Sequence, residues 1–73
     1  MANVLVHIDE TLPAAELDRL QRDVSQRDGI ISACVSDRAQ HLMIVDFDHA
    51  RLRTADVLGE VRAHGLHAEL LGL

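Results

Sequence analysis

The apolar residues of this chain follow first a strand-like and then a helical spacing, and this order limits the fold more than any other feature. Val4, Val6 and Ile8 alternate with Asn3, Leu5, His7 and Asp9, a period of two that is typical of a strand with one face in the core. Pro13 is favoured in the first turn of a helix, and helical spacing follows it. The residues with this spacing are Leu17, Leu20 and Val24. Asp28-Gly29 is expected to end the helix.

The second half of the chain predicts a hairpin, another helix and a last strand. The segments IISACVS and HLMIVDFD are joined by the short polar turn DRAQ, which indicates an antiparallel pair of strands. Thr54 and Asp56 offer an N-cap and an acidic first turn to a second helix, which Gly65 ends. The segment LHAELLGL then predicts a fourth strand. In the first hairpin strand, the core-facing residues are expected to be Ile31, Ala33 and Val35.

These elements give the order β-α-β-β-α-β. Because crossover connections are right-handed, this order favours a four-stranded antiparallel sheet with both helices on one face. The predicted fold class is α+β, a ferredoxin-like βαββαβ sandwich. Since the chain has 73 residues and no internal linker or short repeat, we expect a single domain over residues 1–73.

Charge and aromatic content exclude two classes of partner. The net charge is −5, and the seven basic residues are all Arg. Phe47 is the only aromatic residue, so the chain has neither a basic face nor a stacking platform for nucleic acid. The acidity also argues against an anionic membrane surface. MANVLVHIDE lacks a basic n-region, and no apolar stretch approaches a membrane span, so we expect a cytoplasmic protein.

The sequence offers little for catalysis. Cys34 is the single cysteine, which excludes an internal disulfide and a Cys-x-x-Cys pair. No base can be assigned to it, and there is no phosphate-binding loop, so we predict no catalytic residue and do not expect an enzyme. An amino-acid-sensing domain of the ACT type on the same scaffold is disfavoured, because DETLP lacks the glycine of its ligand site. A binding module and a metal-handling protein remain.

Three motifs resemble those of the heavy-metal-associated (HMA) domain, the module of copper chaperones and metal-pumping ATPases. DGIISACVS resembles the family's D-G-V-x-x-A-x-V, and IVDFD resembles its V-x-[FY]-D. AHGLHAEL resembles its G-[YF]-x-A/V-x-L. With the strand VLVHI and the first helix, the resemblance covers nearly the whole chain. It implies the same ferredoxin-like fold and a metal site between the first strand and the first helix.

The chain departs from this family at the metal site itself. The family carries G-M-[TS]-C-x-x-C there, and an ungapped count back from Asp28-Gly29 aligns it with ETLPAAE. Pro13 and Glu16 then stand at the positions of the two cysteines, and Leu66 replaces the family's usual aromatic residue. Cu(I) prefers soft sulfur ligands, whereas a carboxylate is a hard donor. The motif is therefore degenerate, and we do not expect a thiolate Cu(I) carrier.

Carboxylates and imidazoles near the same corner suggest a harder ion as an alternative. Acidic residues approach it from the strand end and the first helical turn, and two histidines flank the Gly65 turn. Such ligands suit Zn(II), Ni(II) or Mn(II). The candidate metal ligands are Asp9, Glu10, Glu16, His64 and His67. A purely structural interpretation is that the acidic side chains favour the helix dipole and that His64 is solvated.

The sheet face away from the helices is the second candidate site. With the first and third strands as neighbours, Leu5, Leu42 and Ile44 would cluster there, and Cys34 would join them from an edge strand. His7 and Glu69 are also expected on this face. A solvated sheet face is normally polar, so such a cluster suggests contact with another protein or a homodimer. The predicted interaction surface comprises Leu5, His7, Leu42, Ile44 and His67. We expect a non-catalytic binding module without a resident cofactor.

Overall fold

The computed structural model describes residues 2–36 and 38–71 as four strands and two helices in the predicted order. The strands are β1 (Ala2–Ile8), β2 (Ile30–Val35), β3 (Leu42–Phe47) and β4 (Ala68–Leu71), and the helices are α1 (Ala14–Ser25) and α2 (Thr54–Arg62). The sheet order is β2-β3-β1-β4, and every neighbouring pair is antiparallel. The prediction of an α+β, ferredoxin-like fold is confirmed.

One face of the sheet packs against both helices. In β1 and β3, buried residues alternate with half-buried or exposed ones, as predicted. The buried residues form one cluster with residues of α1 and α2, so both helices lie on the same face. The largest fully buried side chains are those of Val6, Ile8, Val24, Met43, Val45, Phe47, Val57 and Val61. Each such side chain contributes about 1.5–3 kcal/mol when it is removed from water.

The predicted orientation of the first residues of β2 is wrong because the strand contains a bulge. Ile30 pairs with Phe47 and Ser32 with Asp46, so Ile31 has no residue opposite it in β3. Ile30 packs against the core, whereas the Ile31 side chain is 50% exposed. Beyond the bulge, Ala33 and Val35 pack against the core as expected.

Three helix termini also differ from the predictions. Helix α2 ends at Arg62, and the predicted stop, Gly65, closes the turn that follows it. The N-cap of α2 is Arg53, and its N–H donates to Asp56 Oδ2 at 2.8 Å; Thr54 is the first helical residue. The Asp56 carboxylate thus accepts the N–H of the cap residue, a different donor from the first-turn N–H groups that a capping Thr54 hydroxyl would have served. Helix α1 ends at Ser25, before the predicted Asp28-Gly29, because the chain turns after the cap residue Gln26.

Gly29 is required by both its backbone conformation and its surroundings. Its φ is +94°, in the left-handed region that residues other than glycine rarely adopt. A Cβ atom at this position would lie 2.8 Å from Cγ of Leu52, a buried residue. The Gly29 carbonyl also accepts the Asp48 N–H at 2.8 Å, which ties this turn to the end of β3.

Parts of three predicted segments lie outside the described residues. They are Met1 of the first segment, Asp37 of the DRAQ turn, and Gly72 and Leu73 of the last strand. Within residues 2–36 and 38–71, no helix is long and apolar enough to cross a membrane.

Candidate functional site

The corner between β1 and α1 is a short extended joint of residues 9–13. Pro13 is extended, with φ −60° and ψ 155°, and its carbonyl accepts the Leu17 N–H at 3.0 Å in the first turn of α1. At the other end of the joint, the Asp9 N–H donates to the His67 carbonyl at 2.8 Å. This bond holds the end of β1 beside the loop between α2 and β4. The predicted strand end and helix start are therefore both present.

Glu10 and His67 are in direct contact at this corner. Both Glu10 carboxylate oxygens accept the His67 N–H, at 2.9 and 3.0 Å, and Oε2 also lies 2.7 Å from His67 Nδ1. The hydrogen bond from the ring raises the pKa of His67, and the hydrogen bonds from ring and backbone lower the pKa of Glu10. The His67 side chain is 84% exposed, so water and salt screen this pair.

The other three predicted metal ligands do not join this pair in a single cluster. Glu16 and His64 line an open groove with Leu12 and Leu66. His64 Nε2 approaches Asp23 Oδ2 at 4.0 Å, whereas Asp9 Oδ1 lies 3.2 Å from His7 Nδ1. The five residues therefore lie around the corner in three places: Glu10 with His67, Asp9 beside His7, and Glu16 and His64 along the groove.

His7 and Glu69 form a cluster with Asp9 that was not predicted as a metal site. One ligand atom from each of these three residues lies within 4.8 Å of the other two. His7 and Glu69 stand opposite each other in the β1–β4 ladder, and Asp9 follows His7 by two residues. The sequence carried this signal, because alternate residues of a strand share a face, and both His7 and Glu69 were expected on the open face.

A continuous line of apolar side chains crosses the open face of the sheet. Leu5 stands opposite Ile44 on one side and opposite Leu71 on the other, and Ile44 stands opposite Cys34. Cys34, Ile44, Leu5 and Leu71 thus occupy one cross-strand line that includes all four strands, which we call the apolar row. Ile44 is 44% exposed and Cys34 is exposed, whereas Leu5 and Leu71 are half-buried.

The apolar row lies between two more polar lines of residues. On one side, Asp46 stands opposite Asn3 and accepts the Ser32 hydroxyl at 2.9 Å. On the other side, His7 stands opposite Leu42 and Glu69. The predicted surface residues Leu5, His7, Leu42 and Ile44 thus occupy two adjacent lines on β1 and β3. The fifth, His67, precedes β4 and is bound to Glu10.

The side chains at the β1–α1 corner do not suit a soft metal ion. Pro13 has no donor atom in its side chain, and Glu16 offers only carboxylate oxygens, which are hard ligands. The only cysteine of the sequence, Cys34, lies on the open face of the edge strand β2. Met43 is fully buried on the opposite face of β3. The side chains of the corner therefore do not fit the two-thiolate site that the resemblance to heavy-metal-associated domains implies.

Solved structures with the same fold include several metal-binding domains. A copper binding domain from HMA7, a P-type ATPase, superposes with a TM-score of 0.87 at 24% identity, covering 99% of this chain and 96% of that one. Oxidized MerP from Ralstonia metallidurans CH34 gives 0.83 at 14% identity, covering 97% of each chain. The N-terminal domain of a potential copper-translocating P-type ATPase from Bacillus subtilis gives 0.81 at 20% identity, covering 96% and 86%.

The resemblance seen in the sequence therefore extends to three dimensions, and the chain has the fold of heavy-metal-associated domains. At these identities the likeness concerns the fold. No protein-family model matches the sequence, and no curated protein sequence matches it significantly.

Proposed function

We propose that this chain is a small, non-catalytic binding module of HMA-like fold that contacts another protein through the open face of its sheet. The observation that carries the proposal is the apolar row, which extends over all four strands. Isolated apolar residues are common on protein surfaces, but four in one line form a continuous patch. Covering such a patch with a partner is favourable, because it removes apolar surface from water.

The charges beside the apolar row indicate the chemistry of the partner. Asp46 lies on one side of the row and Glu69 on the other, and the whole chain carries a net charge of −5. A partner with an apolar centre and basic residues around it would complement this surface. Two copies of this chain would instead bring like charges together, so we favour a different protein over a homodimer.

We also propose that the module does not carry Cu(I) through thiolates. Pro13 and Glu16, at the positions of the family's cysteines, supply no sulfur, and Cys34 is on another part of the surface. A reducing compartment such as the cytoplasm suits the exposed Cys34, for which the chain offers no disulfide partner. We propose that residues 1–73 act as a single domain there.

The test compares two exposed isoleucines. Ile44→Asp places a charge in the apolar row, whereas Ile31→Asp places it at the β2 bulge, outside the row, at a side chain of similar exposure. Proteins that bind the tagged chain would be identified by mass spectrometry, purified and titrated against each variant. We expect Ile44→Asp to weaken binding by at least about tenfold, the effect of roughly 1.4 kcal/mol, and Ile31→Asp to change it little.

Two outcomes would contradict this proposal. One is a purified partner that binds the Ile44→Asp variant as tightly as the unchanged chain. The other is a concentration-dependent dimer, seen by sedimentation equilibrium and abolished by Ile44→Asp, because the row would then be covered by a second copy. Circular dichroism of both variants would establish that each is folded.

Divalent-metal handling is the second candidate function, and the contact between Glu10 and His67 favours it. This pair, with Asp9 next to it in the chain, brings carboxylate and imidazole donors to the corner where the resemblance to heavy-metal-associated domains implies a metal site. Zn(II), Ni(II) or Mn(II) would be the suitable ions. Loss of zinc binding in a Glu10→Gln variant would support a site at this pair.

A further inference from the structure

We propose that His7, Asp9 and Glu69 form a binding site for a divalent transition-metal ion, with Zn(II) as the best match, beside the apolar row. The three residues come from two adjacent strands and the joint that follows β1. A ring nitrogen of His7 and one carboxylate oxygen from each of the other two lie within 4.8 Å of one another. The site uses no residue of the apolar row, although Glu69 is also one of the two charges that we propose to face a basic partner.

The Nδ1 atom of His7 is the observation that distinguishes this cluster from an ordinary group of surface charges. It is shielded from solvent and has no hydrogen-bond partner among residues 2–36 and 38–71. It lies 3.2 Å from Asp9 Oδ1, but the orientation of the two groups does not make a hydrogen bond. Shielded polar atoms in proteins nearly always have a partner. A cation between the imidazole and the carboxylates would provide one.

The His7 ring is held in place by His41, which lies in the turn just before β3. It stacks on the ring of His41, with centroids 5.9 Å apart and planes at 20°. The Nδ1 atom of His41 donates to the Ile8 carbonyl at 2.7 Å, and its backbone carbonyl accepts the Ile8 N–H at 2.8 Å. His41 is therefore fixed from two sides. The stacking restricts His7 and keeps its Nδ1 beside the Asp9 carboxylate, which reduces the ordering cost of binding a metal.

The charge and type of the donors match a divalent ion. Two carboxylates bring two negative charges, which one such ion neutralises, and a neutral imidazole supplies the nitrogen. One nitrogen and two oxygens suit Zn(II), and three protein ligands leave a fourth position for water. Glu10 is not part of this three-residue site, because its carboxylate is directed to the backbone and ring hydrogens of His67.

The present separation of the three ligand atoms requires a small adjustment. Ligand bonds of about 2.0–2.1 Å in a tetrahedral zinc site place neighbouring ligand atoms about 3.3 Å apart. The atoms here are within 4.8 Å, so the carboxylates would move inward by roughly an ångström. The Asp9 side chain is 61% exposed and Glu69 is also exposed, so both can change rotamer without disturbing the core.

The experiment is a calorimetric titration of the full chain, freed of metal by chelator, with ZnCl₂. We expect one ion per chain and a loss of affinity of at least about tenfold in Glu69→Gln, since even groups that support a ligand contribute this much. Glu60→Gln is the matched control, because Glu60 pairs with Arg27 and belongs to a different part of the surface. It should bind zinc like the unchanged chain. Zinc should also shift the His7 ring resonances in NMR spectra.

Other variants decide which residues hold the ion. If Glu10→Gln abolishes binding and Glu69→Gln does not, the ion is at the Glu10–His67 pair and the proposal is wrong. Loss of binding in Cys34→Ser, or an absence of zinc binding at micromolar concentrations, would also overturn it. Ile44→Asp removes none of the three ligands and should retain zinc binding while it weakens the protein contact, so failure of this site and failure of the protein contact can be distinguished.

Discussion

The two faces of the sheet are built from alternate residues of the same strands, yet one face is buried under the helices and the other is open. On the face covered by the helices, Val4, Val6, Met43 and Val45 are each at most 6% exposed. On the open face, the intervening residues Leu5 and Ile44 belong to the apolar row between two more polar lines. Packing therefore restricts one face to residues that fill space, whereas the residues of the apolar row lie outside the hydrophobic core and the residues packed against it.

This difference shows where the chain can change without losing its fold. Substitution on the covered face removes contacts with the helices or creates a cavity, so it lowers the free energy of unfolding. Substitution on the open face changes what the protein presents to its surroundings. Adjacent residues of one strand should therefore differ sharply in their effect on stability.

Met43 and Ile44 give the largest expected contrast. Met43→Ala removes a fully buried side chain and should lower the free energy of unfolding by about 2–5 kcal/mol. Ile44→Thr keeps a β-branched residue at a position that is 44% exposed, and its effect should be about 0.5 kcal/mol. Urea denaturation measures both values. Equal losses in the two variants would show that the open face also contributes to stability.

Two glycines with positive φ, Gly29 and Gly65, give the next largest contrast in stability. Gly29→Ala should cost about 2–4 kcal/mol, because its φ of +94° is unfavourable for alanine and the new Cβ would collide with Leu52. Gly65→Ala has a φ of +78° but no atom within 4 Å of the added Cβ. Backbone strain alone should then cost about 1–2 kcal/mol. Thermal and urea denaturation would contradict this interpretation if both variants lost the same free energy.

The smallest expected effect is at Glu10 and His67, beside the end of β1. Because the pKa of His67 is raised above its ordinary 6.5, the stabilisation from its protonated form is complete below that value and lost as pH rises through the raised pKa. The pKa of Glu10 is lowered from 4.5, so its contribution is lost as pH falls through the lowered value. The pair should therefore stabilise the fold most between about pH 4.5 and 6.5.

An NMR titration of the His67 ring checks this prediction. In Glu10→Gln the pKa of His67 should fall towards its ordinary value, because the hydrogen bond to a charged acceptor is lost. Glu60→Gln removes an equal charge from a carboxylate that pairs with Arg27, and it should leave the His67 titration as it is. An unchanged His67 titration in Glu10→Gln would show that the contact does not form in solution.

The faces of β1 and β3 were predictable from the sequence, because successive residues of a strand point to opposite sides of the sheet. In β1 and β3, buried residues alternate with less buried ones, so the face of each residue follows from its position in the strand. The sequence Ile30-Ile31-Ser32 allows either isoleucine to face the core. The bulge selects Ile30 through pairing with Phe47, and that pairing cannot be read from local spacing.

The candidate sites depend more strongly on contacts between distant residues. The bond between Glu10 and His67 joins side chains 57 residues apart, so only the folded chain shows it. His7 and Glu69 were both expected on the open face, but their direct opposition depends on the register of β1 and β4. Spacing alone could place carboxylates and imidazoles at one end of the sheet, but it could not select the three that converge.

The outer edge of β2 has a consequence for aggregation. An edge strand with a regular row of unpaired N–H and C=O groups can serve as a template for another chain. Here the bulge at Ile31 interrupts that row near one end of β2. Near the other end, the Val35 N–H donates to Gln21 Oε1 of α1 at 2.9 Å, so the helix occupies a donor that an incoming strand would need. The exposed isoleucine at the bulge is thus on an edge that is poorly suited to extend into fibrils.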